Sequence, residues 1–226
     1  MSRLLISCSL VAAFTSSAFA DRALPRFAQP PPNISASSSA PALPVRDIAP
    51  LVDRAEVRAK LAAQRTASLA FFRVYQRKGL FPSNVYAGSK RNVWVDPDGN
   101  YCAAATIIQL SGQRDLVARV GEQTNFIKLA DVEQGPLMDW ILTSGLTQAE
   151  IAAIQEPFMP VGDEPGRGRA SEAPINLTKR TAEDRRLAKK YLQVDAQIVK
   201  HRERSLDRAT DRLMQRPDLA ARLLGQ

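Results

Sequence analysis

The stretch 51-LVDRAEVRAKLAAQRTASLAFFRVYQRKG-79 decides the fold class of this chain. Alanine, leucine, arginine, lysine and glutamine dominate it, and these residues lose little side-chain freedom in a helix. No proline interrupts it, and its one glycine, Gly79, stands where a helix C-terminus favours a residue that tolerates positive φ. The spacing predicts a helix from Leu51 to Lys78. Val57, Leu61, Gln64, Ser68, Phe71 and Tyr75 follow at steps of four and three and form its expected packing face. Two of those six are polar, so the pattern suits a packed helix better than a coiled coil.

Toward the C-terminus the helical signals continue in shorter pieces. Between Leu80 and Tyr101, Pro82, Gly88, Pro97 and Gly99 mark turns, and Asn92-Val93-Trp94-Val95 reads as one short strand. Cys102 to Leu110 is apolar almost throughout, as a helix buried on most sides would be, and Gly112 ends it. Asp115 to Val120 reads as a further short helix, stopped by Gly121. Pro136 to Leu142 follows with proline in its first turn and Gly145 past its end. Thr147-Gln148-Ala149-Glu150 is a capping box that opens a helix to about Gln155, before Pro157. Residues 51–162 are thus expected to form a helical core, followed by a Gly/Pro-rich loop over 163–177.

Thr178 to Arg216 carries twelve Lys/Arg and six Asp/Glu with no glycine or proline, and reads as one long charged helix. Leu187, Tyr191, Val194, Ile198, Leu206, Ala209 and Leu213 make a narrow apolar stripe along it, through which the chain would pack or self-associate. Its carboxylates are spaced for pairs within the helix. Pro217 ends it, and Asp218 is placed to cap a last turn over 219–224. The expected fold is mainly α: an irregular bundle of short and long helices, with a disordered Pro-rich N-terminal tether and a long basic C-terminal helix (178–226) on or beyond the core.

Residues 1–20 read as a cleavable secretory signal. Arg3 supplies a positive start, Leu4 to Phe14 a short apolar run, and Ala18-Phe19-Ala20 the small residues that precede cleavage before Asp21. The run is shorter than the ~20 apolar residues a membrane span needs, and charges break every later stretch. Leu5-Ile6-Ser7-Cys8 resembles a lipoprotein box, but Cys8 precedes most of the apolar run where a lipid-bearing cysteine should follow it, so the reading is release into the periplasm or the medium. Residues 21–50 hold seven prolines and Ser37-Ser38-Ser39, and offer little to bury. Without the leader, Cys102 is the sole cysteine, so no internal disulfide can staple the fold.

The formal charge is +8, unevenly spread. Residues 51–79 have seven Lys/Arg against Asp53 and Glu56, whereas 80–162 have five Lys/Arg against nine Asp/Glu. Two readings are open: the segments neutralise one another when packed, or a basic face serves an anionic partner. The cations that open the C-terminal helix, Lys179, Arg180, Arg185, Arg186, Lys189 and Lys190, are the candidates for the second. Nucleic acid fits poorly, because carboxylates interleave with them and no aromatic residues are spaced for base stacking.

For catalysis the candidates are Cys102 and His201, the one histidine. A thiol at a helix start can be activated by free amides, and cysteine hydrolases of the papain type are similar at that single position. The resemblance implies a histidine base, but from a strand-rich half that this sequence does not show. Asp96-Pro97-Asp98-Gly99-Asn100 resembles the opening of an EF-hand loop, yet Tyr101 stands where its glycine belongs and Ile107 where its glutamate belongs. A tight turn explains it better. Asp131, Glu133 and Asp139 are acid–base candidates of a glycosidase kind, with surface carboxylates as the plainer reading. Gly166-Arg167-Gly168-Arg169 lacks the remainder of a phosphate loop, and Asn33 and Asn176 open glycosylation sequons. No cofactor or metal is indicated. The expectation is an exported, non-enzymatic envelope protein that binds another protein or an anionic polymer; the alternative is a Cys102-dependent hydrolase.

Overall fold

In the computed structural model, residues 52–162 and 174–226 are described. Helix α1 (Arg54–Lys78) forms as its composition predicts. Asp53 caps it, accepting from the Ala55 amide at 2.8 Å, and Gly79 ends it at φ +64°. Seven further α-helices follow among the described residues: α2 (Ala103–Leu110), α3 (Arg114–Gln123), α4 (Pro136–Thr143), α5 (Gln148–Ile154), α6 (Leu177–Lys200), α7 (Arg202–Met214) and α8 (Pro217–Leu224). All lie in one compact unit. Helix α1 is its axis and packs against α2, α6, α7 and α8. Its Leu61 and Phe72, and Ile107, Ile108, Leu187 and Leu213 from the other helices, are each essentially without solvent contact. Full burial of such side chains contributes about 1.5–3 kcal/mol apiece.

The sequence-read face of α1 is out by one position in two places. Arg65 and Phe72 are buried where Gln64 and Phe71 were expected, and those two are only half-buried. Phe72, Tyr75 and Phe81 surround Tyr191 of α6 with ring centroids 5.4–5.6 Å apart, in edge-on or tilted contacts. Arg65 is the larger departure. It is 1% exposed, and its guanidinium grips the Glu150 carboxylate in a fork, Nη1 to Oε2 at 2.9 Å and Nη2 to Oε1 at 2.7 Å. Nη1 also donates to the Gly145 carbonyl at 3.1 Å and Nη2 to the Ile198 carbonyl at 2.8 Å, while Nε has no partner.

The bond from Arg65 to the Ile198 carbonyl also divides the C-terminal helix. The long helix expected over 178–216 is two helices, α6 and α7, separated at His201 (φ −102°, ψ 17°). An unbroken helix would give the Ile198 carbonyl to the amide of Arg202, four residues on. Arg65 takes that carbonyl instead, and a side chain inserted into the ladder breaks the helix. His201 is left exposed at the break, off the packed stripe. The stripe itself, Leu187 to Leu213, is buried inside the chain.

Other boundaries shift for local reasons. Helix α3 runs through Gly121, whose missing side chain admits Trp94: a Cβ there would stand 3.3 Å from the indole Cδ1. Asn92 to Val95 does not form the expected strand: the chain bends at Trp94 and makes only single bridges, Val95 with Tyr101 and neighbouring Arg91 with Phe158. Asn176 caps α6 by accepting from the Thr178 and Lys179 amides, so this helix starts one residue before the expected boundary. Helix α8 begins at Pro217 without a side-chain cap, so Asp218 does not act as one. The capping box of α5 forms as read, Thr147 and Glu150 each binding the other's amide at 3.2 and 2.8 Å. No helix among the described residues is long and apolar enough to cross a membrane.

Candidate anion-binding cleft

Cys102 caps α2, its Sγ accepting from the Ala105 amide at 3.5 Å. Burial is complete and outweighs the amides that would favour a thiolate, pushing the thiol up to about 12. Tyr75 and Tyr191 share its surroundings, and burial raises both phenols as well. A protonated thiol without solvent access is no nucleophile, and the exposed His201 cannot act as base at an enclosed sulfur. The geometry speaks against a Cys102–His201 pair.

The acidic motifs also resolve into structure. Both Asp96 oxygens are occupied: Oδ1 accepts from the Asp98 and Asn100 amides at 3.0 and 2.8 Å, and Oδ2 from the Ser83 amide and the Asn100 side chain at 2.9 and 3.2 Å. The EF-hand-like string is a turn organised on Asp96. Asp131 and Glu133 are exposed, and Asp139 faces Arg216 at 3.2 Å and Arg222 at 4.0 Å. Among the described residues no three His, Cys, Asp or Glu side chains group as metal ligands. Gly166 to Arg169, Asn33, Cys8, the leader and the Pro-rich segment lie outside the described residues.

The six cations of α6 do not act as one patch. Arg180 points inward, donating to the Phe81 carbonyl at 2.6 Å and Ser83 Oγ at 2.7 Å. Lys179 donates to the Gly162 carbonyl at 3.0 Å. Arg185 and Lys189 are exposed. Arg186 and Lys190 instead reach Glu156, at 2.6 and 3.9 Å, and meet there Lys90 from the other side at 2.7 Å. Burial acts to raise the Glu156 carboxyl, but hydrogen bonds from Lys90 and Arg186 prevail and hold it below the usual range. The Arg186 guanidinium is raised by its hydrogen bonds to Glu183, despite burial, and by those to Glu156.

Beside this knot opens a cleft of about 420 Å³, lined by Ser89, Lys90, Arg91, Asn92, Phe126, Lys128 and Pro157. Its walls are fixed from behind. The Gln155 amide donates to the Ile127 carbonyl at 2.8 Å and accepts from the Leu129 amide at 2.8 Å, while Asn92 Nδ2 donates to the same Ile127 carbonyl at 3.2 Å. Arg91 is pinned by two backbone bonds to Phe158, at 3.0 and 2.8 Å. Its guanidinium lies 4.7 Å from the centre of the Phe126 ring, which stands edge-on to Tyr86 at 5.1 Å. Arg91 and Lys128 have no carboxylate partner among the described residues. Cleft and knot together thus hold five cations, Lys90, Arg91, Lys128, Arg186 and Lys190, and two carboxylates, Glu156 and Glu183. Sequence reasoning found the two from α6; the adjacent Lys90-Arg91 was the available signal for two of the others, and the isolated Lys128 carries none. Compared with protein-family models, curated proteins and solved structures, the chain matches none.

Proposed function

We propose that this protein works outside the cytoplasm as a non-enzymatic binding protein, and holds a polyanionic partner of the cell envelope in the cleft between the Ser89–Asn92 segment and Phe126–Lys128. One observation carries this: Arg91 and Lys128 line a cleft with fixed walls, and neither has a carboxylate to neutralise it. Arg91 stacked on Phe126 presents its edge N–H groups for bidentate contact with a carboxylate, sulfate or phosphate. At the rim, Lys90, Arg186 and Lys190 outnumber Glu156 and Glu183 by one positive charge.

The test is retention of the purified protein on immobilised heparin against rising salt, with Arg91→Gln/Lys128→Gln beside it. The wild type should be held at low salt. The double variant should elute earlier, with the salt dependence of its affinity reduced by about one for each cation removed. Equal elution of the two proteins, or no retention at low salt, would refute the cleft. The location is checked on the same material: whole chain expressed in a secreting host should yield a mature protein that starts at Asp21, and recovery with Met1 attached would refute export.

A further inference from the structure

Helix α7 carries two charged stripes one residue out of step. Glu203, Asp207 and Asp211 all turn toward α1: Glu203 and Asp207 to Arg58 at 2.7 and 2.8 Å, Asp211 to Arg54 at 2.7 Å. Each is followed at once by an arginine, Arg204, Arg208 and Arg212, which a helix of 3.6 residues per turn places on the neighbouring face. The carboxylates best placed to neutralise this second stripe are thus drawn away to α1. Among the described residues Arg204 and Arg208 have no partner, and Arg212 binds only neutral groups, Gln148 Oε1 at 2.9 Å and, weakly, Met138 Sδ at 3.9 Å.

These three arginines overlook a trough between α7 and α5. It is made of two adjoining clefts of about 430 and about 320 Å³ that share Thr147, Ala149 and Arg208. Ile141, Leu142, Leu146 and Ala209 give the larger cleft an apolar floor. The one carboxylate in the trough, Glu150, is already held by Arg65 and by the Thr147 amide. The larger cleft has the size of a small-molecule site. Apolar surface below and unneutralised guanidinium groups along one side match a ligand with a chain and an anionic head.

We infer that the trough binds a single-chain anionic amphiphile, with the acyl chain along Leu142, Leu146 and Ala209 and a carboxylate or phosphate head on Arg208, flanked by Arg204 and Arg212. Its premise is independent of the Arg91–Lys128 cleft. The test is calorimetric titration with laurate and with dodecyl phosphate, each below its micelle concentration, against the uncharged dodecyl maltoside and an acidic amphipathic peptide. Laurate or dodecyl phosphate should saturate one site, and which binds tighter identifies the head group. Arg208→Gln should weaken binding roughly tenfold or more, as losing a charge-assisted hydrogen bond does. Shortening the chain should weaken it about fourfold per methylene. Ala149→Trp, from an exposed position, should block the trough, and Lys128→Gln in the other cleft should leave binding unchanged. Circular dichroism of each variant reports the fold separately. Equal affinity for the neutral amphiphile, no binding of either anion, wild-type binding by both Arg208→Gln and Ala149→Trp, or binding of the peptide alone would overturn the inference.

Discussion

Replacing Arg65 by methionine tests what organises this fold, because the methionine keeps apolar volume while removing every donor. Four hydrogen bonds disappear, two of them to Glu150, and that carboxylate is left in a largely enclosed site without its counter-charge. Removing one partner of a buried pair costs about 3–5 kcal/mol, a large part of the roughly 5–15 kcal/mol that holds a domain together. With a urea dependence of about 2 kcal/mol per molar, the midpoint should fall by about 2 M. Glu150→Gln should cost a comparable amount, since it strands Arg65 instead. The double variant should cost less than the sum of the two, by about 2–3 kcal/mol. Burial acts to raise the Glu150 carboxyl, but the bonds from Arg65 and the Thr147 amide outweigh it, and the net shift is downward. A lowered folded-state value stabilises above the unfolded value and is lost as pH falls through the folded one. The gap between wild type and Glu150→Gln should therefore close below about pH 4. In Arg65→Met the Ile198 carbonyl is free to take back the Arg202 amide, so hydrogen exchange at Arg202 should slow relative to its neighbours. A loss under about 1 kcal/mol at unchanged urea dependence, or strict additivity in the cycle, would refute the reasoning.

Two further outcomes follow from the packing. Gly145→Ala should destabilise by more than about 3 kcal/mol, because φ is +76° and a Cβ would run into the Leu61 carbonyl and the Arg65 amide of α1; a thermal melt within a few degrees of wild type contradicts that contact. Cys102 should resist a thiol reagent at pH 8 in the folded protein and react at once in denaturant, the thiol being buried and raised to about 12; rapid native labelling would reopen its candidacy as a nucleophile.

Local chemistry made much of this fold legible. Composition gave α1, Gly79 its end, Pro136 the first turn of α4, and Thr147 with Glu150 the start of α5. Reading failed where a distant residue decides. Arg65 lies one position off the face that the spacing predicts, and nothing nearby announces that Glu150, 85 residues on, neutralises it. The break at His201 has no glycine or proline to mark it; its cause again lies in α1. Gly121 looked like a stop signal, and is instead a gap for Trp94. The candidate cleft was hard to see because its cations are contributed by three separated segments, whereas the runs Glu203-Arg204, Asp207-Arg208 and Asp211-Arg212 repeat every four residues and record the two faces of α7 in plain order.

The position of α1 has a bearing on how the molecule is assembled. Its apolar side is covered by α7 and α8, which the ribosome makes more than a hundred residues later. A nascent chain that stops before α7 and α8 would leave that side of α1 open, so closure waits for these two helices. Trimming the last thirteen residues, from Met214 onward, is thereby not a loss at the periphery but the removal of the lid under which the first helix settles.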